Sequence, residues 1–334
     1  MTIPVTQWHA AAWQQLQASR QQQRLPHALL LSGEAGIGKA EFAAQVAASL
    51  LCEQPAADGR ACGHCHACQR VAAQTHPDRI QLAPEEPGKP IKVDAIRQLI
   101  QALSLTGHYG RYRVVLMEPA EVMNSNAANA FLKSLEEPPA NTLLILVTSA
   151  PARLPATIRS RCQPLRLKSP DSAAAAAWLS QESGDSSQAE IELALRLTGG
   201  APLLAARYLR NGWLGERRRL LQALAGCATG ETSPLDAATL ATQLLKLDRQ
   251  LPIYWMYYWV ADFIRLAYDD NNIKNNDMTS DLQKLPRQVE QQALHRLLGK
   301  LQQARRLTET TVNPQLLWED LMIDWSSLFA DQRG

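Results

Sequence analysis

Cys52, Cys62, Cys65 and Cys68 stand in "CEQPAADGRACGHCHAC" with the spacing C-x9-C-x2-C-x2-C. Four thiolates so crowded suit tetrahedral zinc, and an all-sulfur shell is structural because it leaves no position open for water. The last pair can sit one helical turn apart at the start of "CHACQRVAAQ", with Gly59 and Gly63 supplying turns. His64, His66 and His76 are spare ligands should one cysteine point away, and reduced, unliganded thiols are the alternative. No H-x-E pattern adjoins the cluster, so a metal-activated water is not expected there. Cys162 and Cys227 stand alone and are expected to be partly buried thiols.

A second stretch, "GEAGIGKA" from Gly33 to Ala40, follows the phosphate-loop pattern G-x-x-x-x-G-K-[ST] up to its last letter. Gly33, Gly36 and Gly38 let the backbone approach a phosphate with its N–H groups forward, and Lys39 would add a positive charge. The hydroxyl that normally binds Mg²⁺ is replaced by the methyl of Ala40, which cannot coordinate a cation. ATP or ADP could still rest on the backbone amides without a well-placed metal; a tight strand-to-helix turn with no ligand is the alternative. The acidic pair such a site needs is also incomplete. "RVVLMEPAEV" offers Glu118 for the metal, but Pro119 cannot orient a water, and Glu121 is expected to fall short. Hydrolysis by this chain is therefore not expected.

The elements around these residues alternate as a parallel α/β sheet requires. "HALLLSG", "RIQLAPE", "RVVLMEP" and "NTLLILVTSA" are strands. "KAEFAAQVAASLLC", "IKVDAIRQLIQALSL" and "SNAANAFLKSLEE" are helices, the last stopped by Pro138 and Pro139. After about Lys168 the strands fade into two short helices, the first entered through Ser169, Pro170 and Asp171 and the second leaving through Gly199 and Gly200. From about Gly212 the chain reads as helical, apart from "DDNNIKNNDMTSD", a surface loop by composition. Arg217, Arg218 and Arg219 read as a solvated helix face.

The bulk numbers exclude some classes. In 334 residues the net charge is only +2, so tight DNA binding by this chain alone is not indicated. The N-terminus lacks the pattern of a signal peptide. "LPIYWMYYWVADFIRLAYDD" is too short and too charged to cross a membrane, and fits a buried helix, some of whose aromatics could face a partner. Reduced cysteines and no export signal point to the cytoplasm.

Taken in order, "RLPHALLLSGEAGIGK", the cysteine knuckle, "THPD", "IKVDAIRQL", "NAANAFLKSLEEPP" and "TIRSRCQPLRL" resemble the clamp-loader subunits of bacterial DNA polymerase III, within the AAA+ group. The resemblance spans nearly all of residues 24 to 167. It implies an α/β AAA+ domain over 1–166 with an inserted zinc module, a small helical lid over 167–211 and an all-α collar over 212–334. The motor subunits, gamma and tau, carry an intact loop, an Asp-Glu pair and a nucleotide-sensing arginine where "GGAPLLAARYL" has Leu203, with Arg207 a turn further on. These departures mark a non-motor member; an active AAA+ ATPase tolerating Ala40 is the alternative, and a stand-alone zinc-containing nucleic-acid-binding protein a third. The resemblance further implies that Arg161, in the Ser160-Arg161-Cys162 motif, reaches the γ-phosphate of ATP on a neighbouring subunit, with Arg159 as an internal control. Implied partners are gamma or tau, delta, and, through the ring, the sliding clamp and primer-template DNA. Polymerase activity would lie in other subunits of the holoenzyme.

Overall fold

The computed structural model describes residues 7–86, 88–104, 112–268, 272–286, 289–308 and 312–330. The chain divides into two compact units, Met1–Ala175 with Gly200–Leu204, and Ala176–Gly199 with Ala205–Gly334. The segment 167–211, expected as a lid, is thus shared between them.

The first unit is built on a five-stranded parallel sheet of order β2-β3-β4-β1-β5. Its strands are β1 (Ala28–Ser32), β2 (Arg79–Leu82), β3 (Arg113–Met117), β4 (Thr142–Thr148) and β5 (Gln163–Arg166). Parallel strands covered on both faces read as unbroken apolar runs; "LLL", "VVLM" and "LLILV" are such runs, and β3 and β4 are buried throughout. In register, Leu30 lies opposite Leu146 on one side and Pro164 on the other.

The period-2 alternation of strand side chains splits the core into two layers. Leu29, Leu31, Val114, Leu116, Leu143, Ile145 and Val147 face α1 (Ala10–Gln21) and α2 (Lys39–Leu51) through Trp13, Leu16, Phe42, Val46 and Leu50. Leu30, Val115, Met117, Leu144 and Leu146 face α4 (Val93–Ser104), α5 (Ser125–Glu136) and α6 (Ala156–Arg159), while α3 (His66–Ala72) belongs to the cysteine cluster. Asn124 caps α5 by accepting the Ala127 N–H at 2.8 Å. The strand β5 was not anticipated. It is four residues long, exposes Gln163 and Arg166, and contains Pro164, which an edge strand tolerates because one side has no ladder to complete. Helix α1 likewise has only Trp13 and Leu16 buried, too few to mark it in the sequence.

The rest is helical: α7 (Ser172–Glu182), α8 (Gln188–Leu197), α9 (Pro202–Arg210), α10 (Trp213–Thr229), α11 (Pro234–Leu244), α12 (Leu251–Ala267), α13 (Thr279–Gln283), α14 (Gln291–Leu307) and α15 (Pro314–Ser327). As expected, α7 is entered through Asp171, which accepts the Ala174 N–H at 2.7 Å, and α8 leaves through Gly199 and Gly200, both at positive φ. Helix α12 buries Trp255, Met256, Trp259 and Phe263, while Tyr254, Tyr257 and Tyr258 are half-buried. Lys274 donates to the Tyr254 hydroxyl at 2.9 Å and lies 3.9 Å from the centre of the Tyr258 ring. Among the described residues no helix is long and apolar enough to cross a membrane.

Two readings of this region need correction. Arg217 is fully buried, not solvated, whereas Arg218 and Arg219 are exposed. Helical spacing explains it, since Trp213, Arg217, Leu220, Leu221 and Leu224 form one buried face. The polar stretch after α12 is not all surface loop either. Its first three residues lie outside the described ones, but Asn275 is buried and Asn276–Met278 and α13 are helical. Arg217 donates to Asn275 Oδ1 at 2.6 Å and to Asp277. Asn275 in turn donates its backbone N–H and its Nδ2 to Asp262 at 2.7 and 2.8 Å, and Asp262 also receives Arg265 at 2.7 Å. Burial pulls the Arg217 pKa down and Asp277 opposes that pull. Removing one member of a buried ion pair strands the other. Arg217→Ala is therefore expected to cost the helical unit about 3–5 kcal/mol in urea denaturation, against less than about 0.5 kcal/mol for Arg218→Ala; equal effects would contradict the network.

Candidate functional site

The glycine-rich loop follows β1 and leads into α2, with Gly38 as the helix N-cap in the left-handed region, φ +97°. Two glycines are required by their surroundings. A Cβ on Gly33 would lie 2.6 Å from both the Leu167 carbonyl oxygen and Ile37 Cδ1. Gly36 has φ +78°, and a Cβ there would collide with Leu204. The Gly36 carbonyl accepts the Leu203 N–H at 3.0 Å. Residues 203 and 204 therefore lie directly on the loop, at the position where the resemblance places a nucleotide-sensing arginine; Arg207 is exposed.

From the other side, the Ile37 carbonyl accepts both Trp8 Nε1 and His9 Nε2 at 2.9 Å, which places the His9 ring proton on Nε2. His9 is buried, edge-on to Phe42, and that burial holds its pKa below the usual imidazole value. Lys39 is also buried and donates to the Glu34 carbonyl at 2.5 Å. Burial lowers its pKa, while Glu121, Glu118, Glu41 and Glu34 stabilise its charge. Of these carboxylates Glu121 acts most strongly on Lys39. Glu121 Oε1 also accepts the Ser149 N–H at 3.0 Å, beyond the end of β4. Thus the Gly36 and Ile37 carbonyls and the loop's lysine all have protein partners. Gly36→Ala, which adds a methyl against Leu204 at a positive φ, is expected to cost about 1–3 kcal/mol in chemical denaturation; a neutral result would mean that Leu204 does not pack on the loop.

The four cysteines come together as the spacing predicted. Their sulfurs all lie within 4.8 Å of one another, with Cys52–Cys65 at 4.0 Å and Cys62–Cys68 at 3.9 Å. A tetrahedron with Zn–S bonds of ~2.3 Å has edges of about 3.8 Å, so the cluster has the size that could hold zinc. Backbone N–H groups are directed at the sulfurs: Cys62 N to Cys52 at 3.3 Å, Cys65 N to Cys62 at 3.4 Å and Cys68 N to Cys65 at 3.4 Å. The last of these caps α3. Burial works against ionising Cys65, yet backbone N–H donors bring its pKa down to about 6. The spare histidines are not needed. His64 and His66 are exposed, and His76 accepts the Asp78 N–H through Nδ1 at 3.1 Å. The module is tied to the sheet unit by Trp13 Nε1, which donates to the Asp58 carbonyl at 3.0 Å.

On the opposite face of the sheet, Ile158 and Cys162 are buried one turn apart and hold the segment between them. Burial pushes the Cys162 thiol up to about 11, so it acts as an apolar anchor; Cys227 is likewise buried. Arg161 projects outward with its side chain 35% exposed. Its Nε donates to Glu136 Oε1 at 2.8 Å, its Nη2 lies 2.5 Å from the same oxygen, and its Nη1 donates to the Thr157 carbonyl at 3.0 Å. The Ser160 hydroxyl donates to that same carbonyl at 3.2 Å and lies 3.4 Å from Nη1. Arg159 is exposed. The Glu136 contact was not legible in the sequence, since nothing at a separation of 25 residues announces a pair.

Comparison with known proteins agrees with this construction. A family model described as DNA polymerase III, delta subunit, matches residues 8–171, and a second model, for the C-terminal part of a DNA polymerase III delta subunit, matches residues 211–327. The chain is 40% identical to DNA polymerase III subunit delta' of Pseudomonas aeruginosa over 96% of its length and 97% of that protein's. It is 34% identical to subunit delta' of Escherichia coli over 95% of its length and 93% of that protein's. It is also 34% identical to subunit tau of Escherichia coli, but over only 44% of this chain and 22% of that one. With similarity to delta' running through both units and similarity to tau confined to part of the chain, the protein belongs to the family of DNA polymerase III delta' subunits.

Proposed function

We propose that this chain is the non-motor member of a clamp-loader ring, lending Arg161 to ATP bound by an adjacent gamma- or tau-type subunit and not turning over ATP itself. The observation that supports this reading most directly is a contrast within one domain. The loop's polar groups are engaged by the chain itself, with Lys39 on the Glu34 carbonyl and the Gly36 carbonyl on the Leu203 N–H, while the Arg161 side chain is 35% exposed on a segment anchored by Ile158 and Cys162. A fixed guanidinium stabilises charge developing on a transferred phosphoryl group, and it need not belong to the subunit that holds the nucleotide. On this reading Gly33, Gly36, Gly38 and Lys39 are retained for packing. The ring would contain delta and the motor subunits and act in the cytoplasm, meeting the sliding clamp and primed DNA as an assembly.

Assembled loader carrying Arg161→Ala is expected to lose about 10³-fold in single-turnover hydrolysis at the adjoining site, with Arg159→Ala within about twofold of wild type. Unchanged hydrolysis in Arg161→Ala, or a loss in Arg159→Ala alone, would refute the assignment.

Cys52, Cys62, Cys65 and Cys68 are assigned a structural zinc ion, which fixes the knuckle and leaves no ligand position for chemistry. Metal analysis should find stoichiometric zinc in the wild-type chain and none in Cys65→Ser, with earlier thermal unfolding of the variant. Metal-free protein with all six cysteines freely titratable would contradict the assignment.

A further inference from the structure

The pair between Arg161 and Glu136 occupies a defined part of the guanidinium. Nε and Nη2 form the inner edge of the fork, and both are directed at one oxygen, Glu136 Oε1. Nη1 donates one N–H to the Thr157 carbonyl, an acceptor in the short helix α6. A guanidinium has five N–H donors. Of these, Nη1 and Nη2 each carry a second N–H at the outer end, where among the described residues the nearest further acceptor is the Ser160 hydroxyl, 3.4 Å from Nη1. That outer end can receive a further anion while the inner edge stays bound.

Glu136 is well placed for such a task. It is the last residue of α5, directly after Leu135, which is 1% exposed in the sheet core. Its backbone position is therefore fixed by packing. A carboxylate at a helix C-terminus is electrostatically unfavourable unless a cation neutralises it, and Arg161 is that cation. Its side chain is 49% exposed, and ion pairs this open contribute little to folding. What the contact does achieve is restriction of a long, rotamer-rich side chain to one orientation before any partner arrives.

We propose that Glu136 is the positioning residue for Arg161: it holds the inner edge of the guanidinium so that the outer edge is presented, already ordered, to the phosphate of ATP on a neighbouring subunit. This rests on the assignment of Arg161 above. An arginine free to rotate must lose that freedom at the moment of reaction, whereas a held one does not. Glu136 touches no nucleotide and acts only through Arg161.

The test is a double-mutant cycle in the assembled loader, with kcat and KM for ATP measured in the presence of clamp and primed DNA. Glu136→Ala is expected to lower kcat about five- to tenfold, the size of coupling typical of residues in contact, with KM unchanged. Glu136→Gln, whose amide oxygen can still accept from Nε and Nη2, should retain most of the rate. In the Arg161→Ala background, Glu136→Ala should change nothing further. Wild-type kcat in Glu136→Ala beside a slow Arg161→Ala would overturn the positioning role alone. So would faster hydrolysis in Glu136→Ala, or an equal further loss in the Arg161→Ala background. Wild-type kcat in Arg161→Ala would instead remove the assignment beneath it, and the positioning role with it.

Discussion

The Leu203 N–H donates to the Gly36 carbonyl at 3.0 Å, and the character of the phosphate loop follows from that contact. One such bond contributes only about 0.5–1.5 kcal/mol, so its importance lies in what it places rather than in its strength. It brings Leu204 against Gly36, where no side chain on the loop could be accommodated. On the opposite side Trp8 and His9 both close on the Ile37 carbonyl. Lys39 donates to the Glu34 carbonyl and lies in the field of Glu121 and Glu118. Glycines selected for approach to a ligand serve equally well for approach to another stretch of protein.

The same sheet that carries this loop fixes the arginine. Because successive residues of a strand point to opposite faces, β1 and its neighbours supply one layer to α2 and another to α5 and α6. The loop is rooted in the first layer through Ile37 and Phe42, and Arg161 in the second through Ile158, Cys162 and Leu135. A lost hydroxyl at Ala40 therefore need not disturb the geometry around Arg161. The loop and the arginine segment can thus vary independently of one another. The cysteine knuckle, held to α1 through Trp13 and Asp58, is a third element with its own internal constraint.

Much of this was legible in the sequence where one physical requirement dominated. The apolar runs of β1, β3 and β4 have to be buried on both faces, and four cysteines at that spacing have few stable arrangements other than a shared metal. Legibility failed where tertiary partners decide. Strand β5 has only Leu165 buried and takes its place from the ladder with β1. Arg217 was hidden in a run of three arginines, although the spacing Trp213, Arg217, Leu221, Leu224 would have put it on the core face. Asn275 looks like loop composition and is in fact a buried link between Arg217 and Asp262. Glu121 and Glu136 likewise gain their roles from residues distant in the chain, Lys39 and Ser149 for the first and Arg161 for the second.

The central claim is that the phosphate loop is a structural joint rather than a site of turnover. Its most direct test is calorimetric titration of Mg-ATP into the isolated chain and into Ala40→Ser, with phosphate release followed in parallel. The account predicts no release from either protein and no binding tighter than about 1 mM, because restoring a hydroxyl does not displace Leu203 and Leu204 from the loop. Micromolar binding accompanied by steady phosphate release from the wild-type chain would contradict it.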